Sequence, residues 1–272
     1  MAADRLRIGV PGAAGRMGAT LIKMIRDADG AELVAATETI GHAALGSDAG
    51  VLAGLGPLGV PISDDPAAMF LAADAVLDFT LPVATAWHAE LAAAHNASLI
   101  IGTTGIEAAQ QAALNDASAT VPIVQAPNMS LCVNLLFRLA EQVSAALDED
   151  YDIEIVEMHH RHKVDAPSGT ALGLGRAAAS GRGVNFDEVA ISGRDGITGE
   201  RERGSIGFAA LRGGDVVGDH TIMFAAEGER LELTHKSSSR LTYARGALAA
   251  ARWAVGREPG LYSMTDVMGF NT

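Results

Sequence analysis

Residues 8–18 read Ile-Gly-Val-Pro-Gly-Ala-Ala-Gly-Arg-Met-Gly, which puts Gly12, Gly15 and Gly18 at a G-x-x-G-x-x-G spacing. The loop lies between a short apolar run at 7–10 and a stretch at 16–27 with Met17, Leu21, Met24 and Ile25 at helical spacing. A strand that turns this tightly into a helix opens a βα unit. Its glycines let backbone N–H groups approach an anion, and the helix N-terminus adds partial positive charge. The spacing departs from the commoner G-x-G-x-x-G, so a tight turn with close helix–strand packing stands as the alternative. The pattern then repeats. Apolar strands are predicted at 32–37, 75–79, 98–101 and 121–125, and helices from Pro82, with Thr80 as N-cap, and over 107–115. Short apolar strands alternating with helices imply a parallel sheet covered on both faces. Right-handed crossovers make that sheet doubly wound.

Composition removes several function classes. The chain has 272 residues, one large domain or two smaller ones, and 49% of them are apolar, enough for a core. Lys and Arg total 20 against 33 Asp and Glu, a net charge of −13 that suits a nucleic-acid binder poorly. A single cysteine, Cys132, excludes an intrachain disulfide and reads as a small buried residue of a helix over 131–147. Mean hydropathy of +0.20 argues against disorder. No apolar run reaches the roughly 18 residues of a membrane span, and the first residues lack the apolar stretch of a signal peptide. These features imply a soluble protein of the cytoplasm, without nucleic-acid or membrane partners.

Beyond 147 the pattern changes. Residues 151–157 partly alternate polar and apolar side chains, and strands are predicted at 205–211, 216–226 and 230–235. Gly213-Gly214 and Glu227-Gly228 mark turns between them. A mixed, largely antiparallel sheet in a second, α+β domain follows, joined by short hinges. An Ala-rich helix over 241–255 carries Leu241, Ala244, Leu248, Ala251 and Val255 on one stripe and could belong to either domain. Trp87 and Trp253 read as packing residues of helices.

Four segments carry chemistry. Glu38 follows the second strand, 20 residues after Gly18, where an acid accepts hydrogen bonds from ribose hydroxyls; an ordinary surface glutamate is the alternative. Gly102-Thr-Thr-Gly105 and Ala126-Pro-Asn-Met129 sit at the carboxyl ends of strands, where α/β sheets bind ligands, although each also reads as a structural turn. The fourth is Glu157-Met-His-His-Arg-His-Lys-Val-Asp-Ala-Pro-Ser-Gly-Thr170. Its run from His159 to Lys163 could be a solvated basic loop. Metal binding is disfavoured, because His159, His160 and His162 lack i, i+4 spacing and no second ligand cluster is evident. The third reading is an anion site with proton donors. Ser168-Gly169-Thr170 opens a predicted helix whose donors could bind a carboxylate, and cationic neighbours would lower the pKa of Lys163 towards that of a general acid.

These segments resemble the dihydrodipicolinate reductase family of the lysine and diaminopimelate pathway. Its pattern E-x-H-H-x-x-K-x-D-x-P-S-G-T-A stands here at Glu157 to Ala171, its glycine loop at Gly12 to Gly18, its D-F-T element at Asp78-Phe79-Thr80 and its G-T-T-G element at Gly102 to Gly105. The resemblance covers essentially the whole chain. It implies a Rossmann-like cofactor domain of residues 1–129 plus 240–272, and a substrate-binding and oligomerisation domain of 130–239. The hinges would lie at Met129-Ser130 and Arg240-Leu241, and the assembly would be a homotetramer. The implied reaction is NAD(P)H-dependent reduction of 4-hydroxy-tetrahydrodipicolinate at ring carbon C4, with loss of water. His159 and Lys163 would be the acid–base groups, and His160, Lys163, Ser168, Gly169 and Thr170 would hold the substrate carboxylates. Gly12, Ala13, Ala14, Gly15, Arg16, Met17, Glu38, Thr39, Gly102, Thr103, Thr104, Ala126, Pro127, Asn128 and Met129 would line the cofactor. No metal is implied. Many relatives carry arginine where this chain has Thr39; Arg16 remains and could meet a 2′-phosphate instead, but Glu38 would repel that phosphate, so NADH is expected to serve at least as well as NADPH. A homoserine- or aspartate-dehydrogenase-like enzyme would share the glycine loop without the histidine–lysine segment. A dinucleotide-binding sensor would not need His159 and Lys163.

Overall fold

The structure, a computed structural model, describes residues 5–270. The chain divides into two units. One runs to Leu131 and resumes at Arg240; the other is Cys132–Ser239.

The first unit is built on β1 (Leu6–Pro11), β2 (Ala31–Thr37), β3 (Ile62–Ser63), β4 (Ala75–Asp78), β5 (Ser98–Ile101), β6 (Pro122–Gln125) and, from the end of the chain, β12 (Gly260–Tyr262). All pairings are parallel, in the order β12-β6-β5-β4-β1-β2-β3. Every residue of β4 and β5 is buried, as expected of strands covered on both faces. The helices are α1 (Arg16–Asp27), α2 (Ala49–Leu52), α3 (Pro66–Ala72), α4 (Pro82–His95), α5 (Ala108–Ser118), α9 (Leu241–Ala254) and α10 (Met264–Val267). The chain builds outward from β1 to β2 and β3, then returns to β4 on the other side of β1. That reversal opens a crevice at the carboxyl ends of β1 and β4, the usual ligand position in such sheets.

Local chemistry sets several helix ends. Pro82 starts α4, but the N-cap is Leu81, with no side-chain cap, and not Thr80 as the sequence suggested. The Thr80 hydroxyl instead donates to Asp78 Oδ1 at 2.6 Å. Glu107 and Gln110 form a capping box at α5. The Asp48 carboxylate accepts the Gly50, Val51, Leu58 and Gly59 N–H groups and closes the loop around α2. The predicted stripe of α9 holds at Ala244, Leu248 and Ala251, whereas Leu241 and Val255 at the ends are exposed. Trp253 packs against the core, and Trp87 is 49% exposed and stacks on His88.

The second unit contains β7 (Asp152–His159), β8 (Ala190–Ser192), β9 (Ile206–Arg212), β10 (Gly218–Ala226) and β11 (Glu229–Ser237), in the order β11-β10-β7-β9-β8. The sheet is mixed. β10 pairs antiparallel with β11 and β7, while β7–β9 and β9–β8 are parallel. Helices α6 (Leu131–Ala146), α7 (Gly169–Arg182) and α8 (Phe186–Val189) complete it. Strict alternation buries Ile153, Ile155, Glu157 and His159 on one face of β7. Ile222 and Phe224 of β10, Ile206 and Phe208 of β9, and Leu174 and Ala178 of α7 share that core. Cys132 is exposed, contrary to the expectation of burial, because it precedes the first buried residue of α6, Val133.

Candidate active site

In the first unit the glycine loop follows β1 directly. Gly12 has φ +64°, a conformation glycine adopts without strain. A Cβ on Gly18 would lie 2.3 Å from the Gly12 carbonyl oxygen, so the helix start and the loop approach as only glycine permits. Ala13 N–H is used by the Thr37 carbonyl, and Gly15 N–H by that of Gly12. Ala14 N–H donates to Glu38 Oε1 at 2.9 Å, and Thr39 N–H to Glu38 Oε2 at 3.2 Å. Glu38 therefore joins the end of β2 to the loop. Gly15 caps α1 without a side-chain bond, and the first turn, with Arg16 and Met17, holds no acid. With the Ala13, Ala14 and Gly15 N–H groups engaged, it is the uncapped start of α1, approached closely through the glycines, that suits the phosphates of a dinucleotide.

The other predicted segments sit along the same carboxyl edge. Gly102 N–H donates to the Asp78 carbonyl, and a Cβ there would strike the Phe79 ring at 2.2 Å. Thr103 is buried and donates to Asp78 Oδ1 at 3.3 Å while accepting from Thr85 at 2.9 Å. Asp78 itself is fully buried against His88 Nδ1 at 2.8 Å. Burial raises its pKa, but His88 and Thr80 outweigh that and hold the carboxyl below its usual range. A cavity of about 260 Å³ is lined by Thr103, Thr104, Gly105, Ile106, Gln125, Ala126 and Pro127. Asn128 turns back to accept the Ser130 N–H, and Met129 is buried.

In the second unit the basic run is distributed by local structure. His159, the last residue of β7, faces inward and is 8% exposed. His160 is half-buried and its N–H donates to the Val216 carbonyl; Arg161 and His162 are exposed. Lys163 is half-buried, with Nζ 2.8 Å from Asp165 Oδ1. That carboxylate corrects the expectation of an all-cationic surround. Lys163 in turn holds the Asp165 carboxyl below its usual range.

Glu157, 1% exposed, is the hub. Its Oε2 accepts from His159 Nδ1 at 2.6 Å and Arg212 Nη1 at 2.8 Å; its Oε1 accepts from Arg212 Nη2 at 2.9 Å and Ser168 N–H at 3.1 Å. Burial pushes the Glu157 pKa up, but Arg212 and His159 prevail and keep it ionised at neutral pH. Burial pushes the His159 pKa down, outweighing Glu157, with Lys163 and Arg212 adding to the depression. Ser168 caps α7 by accepting the Ala171 N–H at 3.2 Å, and its Oγ lies 3.1 Å from His220 Nε2. Its N–H and its hydroxyl oxygen are thus already engaged, whereas Gly169 is exposed in the first turn of α7 and Thr170 half-buried. Burial drives the His220 pKa down to about 4. Among the described residues no group of three or more His, Cys, Asp or Glu could hold a metal.

Comparison with known proteins decides the family. Residues 6–129 match the model described as "Dihydrodipicolinate reductase, N-terminus", and residues 132–268 the one described as "Dihydrodipicolinate reductase, C-terminus". The chain belongs to the dihydrodipicolinate reductase family. With that family it is an oxidoreductase. The 4-hydroxy-tetrahydrodipicolinate reductase of Dinoroseobacter shibae is 57% identical over 96% of this chain and 97% of its own. That of Magnetococcus marinus is 54% identical, over 97% and 99%. The solved dipicolinate-bound dihydrodipicolinate reductase from Paenisporosarcina sp. TG-14 shares the fold, with a TM-score of 0.76 at 24% identity, covering 96% of this chain and 99% of that one.

Within the dihydrodipicolinate reductase pattern, Glu157 stands in the motif, yet sequence reasoning gave it no role. Arg212 and His220 were missed altogether. A signal for His220 exists: it occupies a buried position of the His-x-Ile-x-Phe alternation in β10. Arg212 has no comparable signal, because only the β7–β9 register puts it opposite His159. Among the described residues no helix is long and apolar enough to cross a membrane.

Proposed function

We propose that this chain reduces 4-hydroxy-tetrahydrodipicolinate to tetrahydrodipicolinate in lysine and diaminopimelate biosynthesis, with His159 and Lys163 moving the protons. The carrying observation is a carboxylate-held imidazole, His159, at the end of a strand whose following segment brings Lys163 and the start of α7 into the same unit. The solved family member cited above binds dipicolinate, itself a cyclic dicarboxylate. His160, Lys163, Ser168, Gly169 and Thr170 would receive such a dianion; Ser168 does so through a hydroxyl hydrogen left free when His220 Nε2–H donates to its oxygen. The depressed pKa keeps His159 neutral before substrate arrives. A dianion nearby raises that pKa, so His159 takes up a proton as the substrate binds. Lys163 supplies a second proton donor and stabilises charge building up on the ring.

The nicotinamide cofactor would be held by Gly12, Ala13, Ala14, Gly15, Arg16 and Met17, by Glu38 and Thr39, and by Gly102, Thr103, Thr104, Ala126, Pro127, Asn128 and Met129. The uncapped start of α1, approached closely through the glycines, fits its pyrophosphate. When bound, it supplies a hydride to ring C4, while one proton is taken up and the C4 hydroxyl leaves as water. Glu38, tied to the loop, meets ribose hydroxyls and repels a 2′-phosphate. Thr39 is exposed and offers no charge for that phosphate, so NADH serves at least as well as NADPH. We also place the enzyme in the cytoplasm, on its lone cysteine, with residues 130–239 as the substrate-binding and oligomerisation domain.

The test is oxidation of NADH and NADPH on substrate generated in situ from pyruvate and aspartate semialdehyde. Turnover should require the condensing enzyme, run with NADH at least as fast as with NADPH, and fall at least 100-fold in Lys163→Ala. Cofactor binding without turnover would defeat the proposal.

A further inference from the structure

We infer that Glu157 is a positioning residue for proton transfer at His159: it fixes the imidazole in its Nδ1-protonated form, so that Nε2 alone takes up and releases the proton. The inference rests on the reading of His159 as an acid–base group. Glu157 is buried and bidentate with Arg212, an arginine that cannot be deprotonated, so its carboxylate has no hydrogen to give. The 2.6 Å contact with His159 therefore requires Nδ1 to donate. The lone pair of the neutral ring is left on Nε2, which has no hydrogen-bond partner among the described residues. A Cβ at Gly218 of β10 would lie 3.0 Å from that nitrogen, so glycine leaves room beside it.

The same carboxylate accepts the Ser168 N–H. One side chain thus holds both the imidazole and the N-cap of α7, and fixes their spacing. Its charge also offsets the imidazolium when Nε2 is protonated. The groups facing the pair come from every neighbouring element. Arg212 stands on β9, His220 opposite Glu157 on β10 and His235 next along the same row on β11. Lys163, with its partner Asp165, comes from the following segment, and Ser168 from the cap of α7. Without Glu157, His159 would lose its own counter-charge while Lys163 and Arg212 stay nearby, and either ring nitrogen could carry the proton.

The experiment is ¹⁵N NMR of histidine-labelled full-length protein, with the His159 signals assigned by their loss in His159→Gln. In the wild type, His159 should be protonated at Nδ1 and bare at Nε2 at neutral pH. In Glu157→Gln the single tautomer should be lost. The alkaline limb of kcat, set by loss of the His159 proton in the substrate complex, should move down by at least one pH unit and kcat at neutral pH should fall at least tenfold, with KM changed less than threefold. An Nε2-protonated His159 in the wild type overturns the inference, and needs no variant that folds. So does a Glu157→Gln enzyme that is slower but keeps the wild-type tautomer and pH limb, since that is the mark of a structural ion pair. Lack of turnover in the wild type would count against the reductase reading alone, because the tautomer is read without substrate.

Discussion

His220 shows how burial sets the chemistry of a single residue. It is 3% exposed, and one ring nitrogen, Nδ1, is buried without a hydrogen-bond partner. An unpaired lone pair is easier to accommodate than an unpaired N–H, so the hydrogen belongs on Nε2, pointing at Ser168. Its pKa of about 4, set first by burial and then by His159, means the folded protein holds it neutral where an unfolded chain, at roughly 6.5, would protonate it. A depressed histidine pKa costs stability as pH falls. The loss starts near pH 6.5, grows to roughly 3 kcal/mol at pH 4 and then levels off. Denaturant unfolding at pH 7 and pH 5 checks this. The drop in stability between them should be smaller in His220→Asn than in the wild type, by about 2 kcal/mol. Equal drops would contradict the assignment.

At the scale of elements, α9 is shaped by what it must approach. Ala244, Ala247, Ala250, Ala251 and Ala254 are all buried, and a Cβ on Gly246 would come within 1.7 Å of the Met129 carbonyl oxygen. Alanine raises intrinsic helix stability by about 1 kcal/mol over glycine, yet Gly246→Ala should destabilise by about 1–3 kcal/mol through overpacking. Chemical denaturation decides, and a more stable variant would contradict the packing. Elements with strong periodicity were legible in the sequence: β1, α1, β4, β5, β6 and β7 all stand where apolar runs or alternation predicted them. The two-residue β3, the three-residue β8 and β12, and the single-turn α2, α8 and α10 were not, because such short pieces carry no period and exist through their neighbours. Thr80 misled for a related reason. Its side chain has a local choice between capping α4 and bonding Asp78, and only the buried carboxylate decides it. The candidate site divides in the same way. The contiguous parts, the glycine loop of the first unit and residues 157–170 of the second, were readable, while Arg212 and His220 join residues 157–170 through strand register.

For the whole molecule, the acidic composition and the two units frame what assembles around the site. The face of the second sheet opposite its core carries Val156, Met158, Thr221 and Met223, all half-buried, and an exposed Leu211. A homotetramer built on that face is the expectation from the family. Light scattering should return about four times the 28.0 kDa chain mass, and a monomer would refute it. The central claim is chemical: the hydride ends on C4 of a cyclic dicarboxylate. The most direct measurement uses cofactor deuterated at its transferable position, with substrate formed in situ and the product read by NMR. One deuterium at ring C4 per cofactor oxidised, lost together with turnover in Lys163→Ala, is the predicted result. Cofactor oxidation that leaves C4 unlabelled, or that proceeds without the dicarboxylate, would contradict it.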